Sequence, residues 1–309
     1  MKYFRQLLQF LKLLTLMKLF SVLLVFLILV NCTSFHSTNN NLREYFKIAD
    51  NLLMNGEKKE LSDFTYQNLF PNVKHLDKNK KARVLNYLQI SQDSVYLSIA
   101  KRYIKNNTSK ISKCTLDSSS ISYYNELTSC KSSDYDSLRN NFREIMYRDQ
   151  YYRQLPDKYF TGTKAAIDSI MSVIIDNDNQ NRESIKKALS KYSFKKIAEN
   201  DCDCSLLKTV WFVAQHSDSD VPFQKEILEM FSRPYPNIKP QYYTYLTDRI
   251  NMNEGKKQIY GTQMRLNPKT KKMEISPVKN PKKIDQLRFR NNLIDLQVYL
   301  NFTNKPDQK

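Results

Sequence analysis

Glycine is nearly missing from this chain, with four residues in 309 against a typical share of roughly 7%. That scarcity excludes the glycine loops that cradle phosphates in nucleotide enzymes and disfavours a turn-dense all-β fold. Histidine is as rare: His36, His75 and His216 are all there is, too few for a zinc site built on several imidazoles. None of the five cysteines is spaced C-x-x-C. Neither a Gly-x-Ser-x-Gly nucleophile elbow nor a His-Glu-x-x-His helix occurs. Nothing in the sequence calls for a cofactor or a bound metal.

Apolar side chains make up 41% of the residues, enough to bury one large core or two modest ones. With glycine so scarce, the composition predicts a mainly α fold: a helical bundle or an array of paired helices, with a short β-hairpin near the C-terminus. The formal charge is +18. Residues 1–31 contain four basic residues and no acid, so the remainder still carries +14. The lysines are spread along the chain without an arginine-rich block, which reads as a solvated basic surface. Its field would favour an anionic envelope component or lipid headgroups. No nucleic-acid partner is expected, because no recognition motif is present.

Lys12 and Lys18 precede an apolar run from Leu19 to Val30 that ends at Leu29-Val30-Asn31-Cys32. Basic start, apolar centre and short exit follow the order of a signal peptide, and Met17 offers an alternative start to Met1. Twelve helical residues span only about 18 Å, short of the roughly 30 Å hydrocarbon core. Leu-x-x-Cys resembles a lipobox, although Asn31 stands where a small residue is usual. The expectation is therefore an extracytoplasmic protein of the cell envelope, lipid-anchored to a membrane through Cys32, with an uncleaved anchor or simple secretion as alternatives. Residues 32–41 are polar and aperiodic, as a tether would be, and His36 within them is a solvated side chain.

Four other cysteines remain, in a compartment that permits disulfides. Cys114–Cys130 would close a loop of about 15 residues across a Ser-rich stretch, for roughly 3 kcal/mol. Cys202 and Cys204 sit where a helix begins, which lowers a thiol pKa, but Asp201 and Asp203 beside them oppose a thiolate.

Helical spacing covers 42–112, where Leu42, Phe46, Ala49 and Leu53 form one stripe and Val84, Leu85, Tyr87 and Leu88 another. No 34-residue self-similarity marks a tetratricopeptide array. Residues 113–136 read as a connection. A second helical region spans 137–302, before a tail over 303–309. Within it, helices are predicted over 137–153, 164–175, 182–192, 204–215 and 239–252. His75, near Lys74 and Asp77, reads as an exposed or capping histidine.

The polar candidates lie in this second region. Asp149 falls three and four residues beyond Met146 and Ile145, beside the buried stripe, with Arg153 at i+4 to pair with it. His216 ends the 204–215 helix, Asp218 follows, and Asp220 with Pro222 predicts the N-terminus of the next helix. Arg249 shares a face with Leu246 and Ile250, so it would anchor a carboxylate such as Asp149 or Asp218. Gln258 to Leu266 read as a strand, Asn267-Pro268 as a turn and Lys272 to Ser276 as the return strand. Gly261 inside a strand suggests close approach of a backbone or ligand, and Gln258, Tyr260, Thr262 and Gln263 offer donors and acceptors.

Taken together, DQYYR at Asp149, AQHSD around His216, LTDR ending at Arg249 and QIYGTQ from Gln258 to Gln263 resemble an uncharacterised bacterial family. That family is a domain of unknown function marked by Asp-Gln, Gln-His-x-Asp, Asp-Arg and Tyr-Gly-Thr-Gln elements, and the resemblance spans 137–302. The Gly-Trp-Pro turn common there before the histidine helix is replaced here by Lys191-Tyr192-Ser193-Phe194. The resemblance implies a helical domain with a hairpin and brings no established activity; Arg153, Asp248, Gly261 and Thr262 join the candidates as motif positions. Three functions remain open. A module could bind a small polar ligand or an envelope component through Asp149, His216, Asp218, Arg249, Gln258, Tyr260 and Gln263. A hydrolase would use His216 with Asp149 or Asp218 as its acidic partner. The same residues could instead form a purely structural network.

Overall fold

The computed structural model describes residues 41–128, 135–154, 163–235 and 237–304. Cys32, the apolar leader and Cys130 lie outside them. The chain divides into two units, Met1–Ile48 and Ala49–Lys309. In the first, residues 41–48 are helical. The second opens with α1, residues 49–55, and holds every candidate residue except Cys32.

Short polar residues start the next helices. Asp77 accepts from the amides of Asn79 and Lys80 (3.0 and 2.9 Å) to cap α3, Lys78–Gln89, and Asp93 accepts from Val95 to cap α4, Ser94–Asn107. Before them run α2, Lys58–Phe64, and a 3-10 turn, Phe70–His75, on whose exposed end His75 sits. The predicted stripe on α3 is buried: Leu85 and Leu88 meet Ala100 and Ile104 of α4. Asp50 is also buried there, accepting from both Arg83 and the Tyr87 hydroxyl. Residues 113–136 are less of a connection than expected, since α5, Ser118–Thr128, occupies their middle. Its apolar residue Ile121 packs on the α3–α4 core.

The larger core is built around α9, Ser205–Gln215, whose Leu206, Leu207, Val210, Val213 and Ala214 are all buried. It packs against α6 (Asp136–Tyr151), α7 (Lys164–Lys191), α8 (Phe194–Glu199), α10 (Val221–Ser232) and α11 (Pro240–Asn253). The break predicted between 175 and 182 is absent, and α7 runs 28 residues without interruption. Asp176-Asn177-Asp178-Asn179 is a poor helix sequence, yet Asp178 is ion-paired and Asn181 fully buried, so tertiary contacts override propensity.

The predicted Cys114–Cys130 bridge is corrected: Cys114 pairs with Cys204, Cα to Cα 5.4 Å, and Cys202 is disulfide-bonded too. The Lys113 ammonium donates to the carbonyl of Asp201, and Asn125 to that of Cys202. These bonds seat residues 113–125 on the start of α9, which brings Cys114 to Cys204 across 90 residues. Sequence proximity carried no information about that docking.

The hairpin is real but short. β1, Met264–Leu266, pairs antiparallel with β2, Met273–Ile275, with Met264 opposite Ile275. Asn267 shapes the turn, its side chain accepting from the amide of Lys269 at 2.9 Å. Residues 258–263, expected as strand, form a loop instead, with a bridge from Gln258 to Val278 and one backbone bond from the Ser276 amide to the Gln263 carbonyl at 3.2 Å. Helices α12, Ile284–Arg290, and α13, Leu296–Thr303, close the chain. Among the described residues, no helix is long and apolar enough to cross a membrane.

Candidate functional site

Helix α6 buries Leu138, Phe142 and Ile145, and the same face carries Asp149 inward to 1% exposure. A carboxylate so deep needs partners. The chief one is His216, at the residue that ends α9. Three features hold the chain there: the Ser217 hydroxyl donates to the Val213 carbonyl, Asp220 accepts from the Phe223 amide as α10 begins, and Pro222 lies in that helix's first turn. His216 Nδ1 lies 2.9 and 3.0 Å from the two Asp149 oxygens. Gln150 donates to Asp149 Oδ2 at 2.6 Å, and Arg153 Nη1 approaches Oδ1 at 3.4 Å. Burial pushes the Asp149 carboxyl up, but the His216 contact, Gln150 and the Arg153 charge outweigh it and hold it below the usual carboxylate range. An ionised Asp149 accepting from Nδ1–H orients the imidazole and turns Nε2 away from the carboxylate. Nε2 has no hydrogen-bond partner among the described residues.

Arg153 reaches past Asp149 to α7, where its Nη2 donates to both oxygens of Asp178, at 2.7 and 2.6 Å. Burial raises the Asp178 carboxyl, and Arg153 only partly offsets it. Asp149, Asp178 and His216 bring one potential ligand atom each within 4.8 Å of the others, a donor set that suits a divalent cation. Arg153 already supplies a positive charge to both carboxylates, so a metal would have to displace it.

Across the site, Arg249 of α11 grips Asp218 with two parallel bonds, Nε to Oδ1 at 2.8 Å and Nη2 to Oδ2 at 2.5 Å. Asn253 donates to the same carboxylate at 2.9 Å. Burial opposes ionisation of Asp218, but these donors win and lower its pKa. Arg249 Nη1 also donates to Gln263 Oε1, at 3.2 Å.

Asp248, next to Arg249, points the other way and is fully buried. It accepts from the amides of Ile259 (2.7 Å), Tyr260 (3.1 Å) and Thr262 (3.0 Å) and from the Thr262 hydroxyl (3.0 Å). Gln258, also fully buried, braces the loop by donating to the carbonyls of Gln263 and Ser276 while accepting from the Gln263 amide. Arg288 donates to the carbonyls of Tyr260 and Gly261, at 2.9 Å each. Gly261 takes φ +63°, and a Cβ there would stand 3.4 Å from Val278 and 3.5 Å from Ile284. The close approach expected at this glycine is thus to the protein's own side chains.

Two clefts meet at His216 and Arg249. The larger, about 560 Å³, has a polar floor of Arg153, Asp178, Asn179, His216, Asp218, Ser219 and Arg249 and an apolar wall of Met171, Ile174 and Ile175 from α7. Met171 and Ile175 are solvent-exposed. The smaller, about 210 Å³, is lined by Trp211, Phe212, Gln215, His216, Tyr245, Arg249, Thr262 and Gln263.

Of the predicted residues, the structure brings Asp149, Arg153, His216, Asp218, Arg249, Thr262 and Gln263 to this place. The carboxylate on His216 is Asp149, and that on Arg249 is Asp218. Asp248, Gln258 and Gly261 serve the loop instead, and Tyr260 contributes its backbone to the same cradle. Sequence reading missed Asp178, hidden in what looked like a helix break, and the α7 wall. It also missed Trp211 and Gln215, whose i, i+4 spacing on α9 was the available signal.

A model described as "Family of unknown function (DUF6624)" matches residues 138–306, more than half of the chain, and the chain belongs to that family. No curated protein and no solved structure matches it.

Proposed function

We propose that this member of a family without an assigned activity is an envelope lipoprotein whose C-terminal region hydrolyses a small polar substrate, with His216 as general base. One observation carries the reading: the buried Asp149 holds His216 Nδ1 at 2.9 Å, and His216 lines both clefts. That is the orienting-acid and base arrangement of acid–base catalysis. No Ser, Thr or Cys hydroxyl or thiol bonds to His216 among the described residues, so the base acts on water: Nε2 takes its proton as the oxygen adds to the acyl carbon, then returns it to the leaving alcohol or amine as the acyl C–O or C–N bond breaks. Arg249 and Arg153, each already held by a carboxylate, position polar groups of the substrate.

The envelope assignment rests on the Leu29–Cys32 exit of the apolar run and gains support from Cys114–Cys204, since structural disulfides belong to oxidising compartments. The test of the activity is a panel of ester and amide reporter substrates offered to the full chain. His216→Ala should lower turnover by 10²- to 10⁴-fold, the usual worth of a general base, and Asp149→Asn should follow it. Turnover unchanged in His216→Ala overturns the catalytic role. A second reading, binding without turnover, is favoured by the ion-pairing of both cleft arginines. It predicts ligand affinity that falls in His216→Ala with no hydrolysis in any variant.

A further inference from the structure

The smaller cleft has a hydrogen-bonding inventory that is almost fully spent. Arg249 uses Nε and Nη2 on Asp218 and Nη1 on Gln263. Gln263 donates to Thr262 Oγ1 and the Tyr245 carbonyl, and the Thr262 hydroxyl donates to Asp248. Besides His216 Nε2, two N–H donors are left over. Trp211 Nε1 and Gln215 Nε2 are buried and have no hydrogen-bond partner, and the Gln215 residue is only 8% exposed. At i and i+4 on α9 the two side chains share one helix face. A native protein seldom leaves such donors orphaned, and where it does the site calls for a reason.

Trp211 Nε1 and Gln215 Nε2 can only donate, so the partner missing from them is an acceptor. The Arg249 charge is answered by Asp218 at 2.5 Å, which removes the local pull on an anion. Trp211, Phe212 and Tyr245 supply flat walls, suited to a planar group. We infer that this 210 Å³ cleft is a subsite for a neutral acyl carbonyl, an amide or ester C=O, which accepts from Trp211 Nε1 and Gln215 Nε2. The Gln215 amide nitrogen has no hydrogen-bond partner, so the amide turns about its last torsion at little cost and can follow the incoming oxygen. The inference deepens the reading above by naming the group the ligand carries beside His216, and it rests on that reading only for what His216 then does.

Trp211 is the sole tryptophan, so the full chain gives a single indole N–H resonance. Titration with N-acetylglycinamide should move that resonance downfield and saturate, while sodium acetate at matched ionic strength should leave it in place. Gln215→Leu removes one donor at similar volume and should weaken the amide titration by about tenfold, one hydrogen bond's worth. Its melting temperature, measured alongside, should not fall, because the Gln215 amide nitrogen gives up no hydrogen bond and Leu keeps the packed volume. His216→Ala should retain the titration. A response to acetate as strong as to the amide, an amide response untouched by Gln215→Leu, or no saturable shift in the wild type would each overturn the inference. A saturating shift without turnover in any reporter assay would leave the subsite standing and remove the hydrolase.

Discussion

Removing the Asp248 carboxylate should be the most damaging single change in the C-terminal region. Four donors converge on it, the amides of Ile259, Tyr260 and Thr262 and the Thr262 hydroxyl, and it is fully buried. Asp248→Ala leaves all four without their acceptor. At the low end of the range for an unsatisfied buried group, about 1 kcal/mol each, the loss is about 4 kcal/mol, a large part of the 5–15 kcal/mol that typically holds a protein folded. Urea unfolding followed by Trp211 emission should show it as a fall in midpoint of more than about 1 M, given the usual slope of roughly 1–3 kcal/mol per molar. Thr262→Val removes one donor and should cost only about 1 kcal/mol. Hydrogen exchange adds a local readout: the Ile259, Tyr260 and Thr262 amides should lose protection first. A destabilisation below about 1 kcal/mol in Asp248→Ala, with those amides still protected, would refute the view that this carboxylate organises the loop.

Burial raises the Asp201 carboxyl from 3.8 to about 6, against the opposing bonds from the Leu207 and Leu206 amides. Between those two values the folded chain keeps a proton the unfolded chain has released, so this group's contribution to stability declines as pH rises through the window, by about 3 kcal/mol at most. Asp201→Asn should flatten that decline relative to wild type; parallel stability curves for the two proteins would exclude it. Replacing Cys114 and Cys204 together by Ser opens a 90-residue link and should lower stability by roughly 4–5 kcal/mol in the chain-entropy account, read by calorimetry under oxidising conditions; no change would mean the link adds nothing. Cys32→Ser should abolish labelling with a palmitate analogue in a bacterial host and shift the chain from membrane to soluble fractions. A wild-type chain that takes up no label would remove the lipid anchor from the proposal.

The legible part of the fold was whatever local periodicity encodes. The α9 stripe, the capping by Asp220 and Pro222, the Asn267 turn and the i+4 pair Asp149–Arg153 could all be read because each depends on neighbours within a few residues. What failed depended on distant partners. Asp178 keeps its helix through a turn of poor formers because Arg153 meets it from α6. Cys114 finds Cys204 because Lys113 docks on Asp201. The hexapeptide read as extended, but four donors turned toward the Asp248 carboxylate bend it into a loop. The site was half visible for the same reason: its charged residues stood out as motifs, whereas Trp211 and Gln215 look like ordinary core positions until their unpaired nitrogens are seen.

His216 and Arg249 belong to the walls of both clefts, and this sharing has a consequence for finding ligands by fragments. Two small molecules, one over Met171 and Ile175 and one against Trp211, would press on opposite sides of the same pair of side chains, so saturating one cleft should change the affinity of the other. A single compound joining them would convert the second encounter into an intramolecular one, and its gain over either half would measure the effective concentration that the spacing permits.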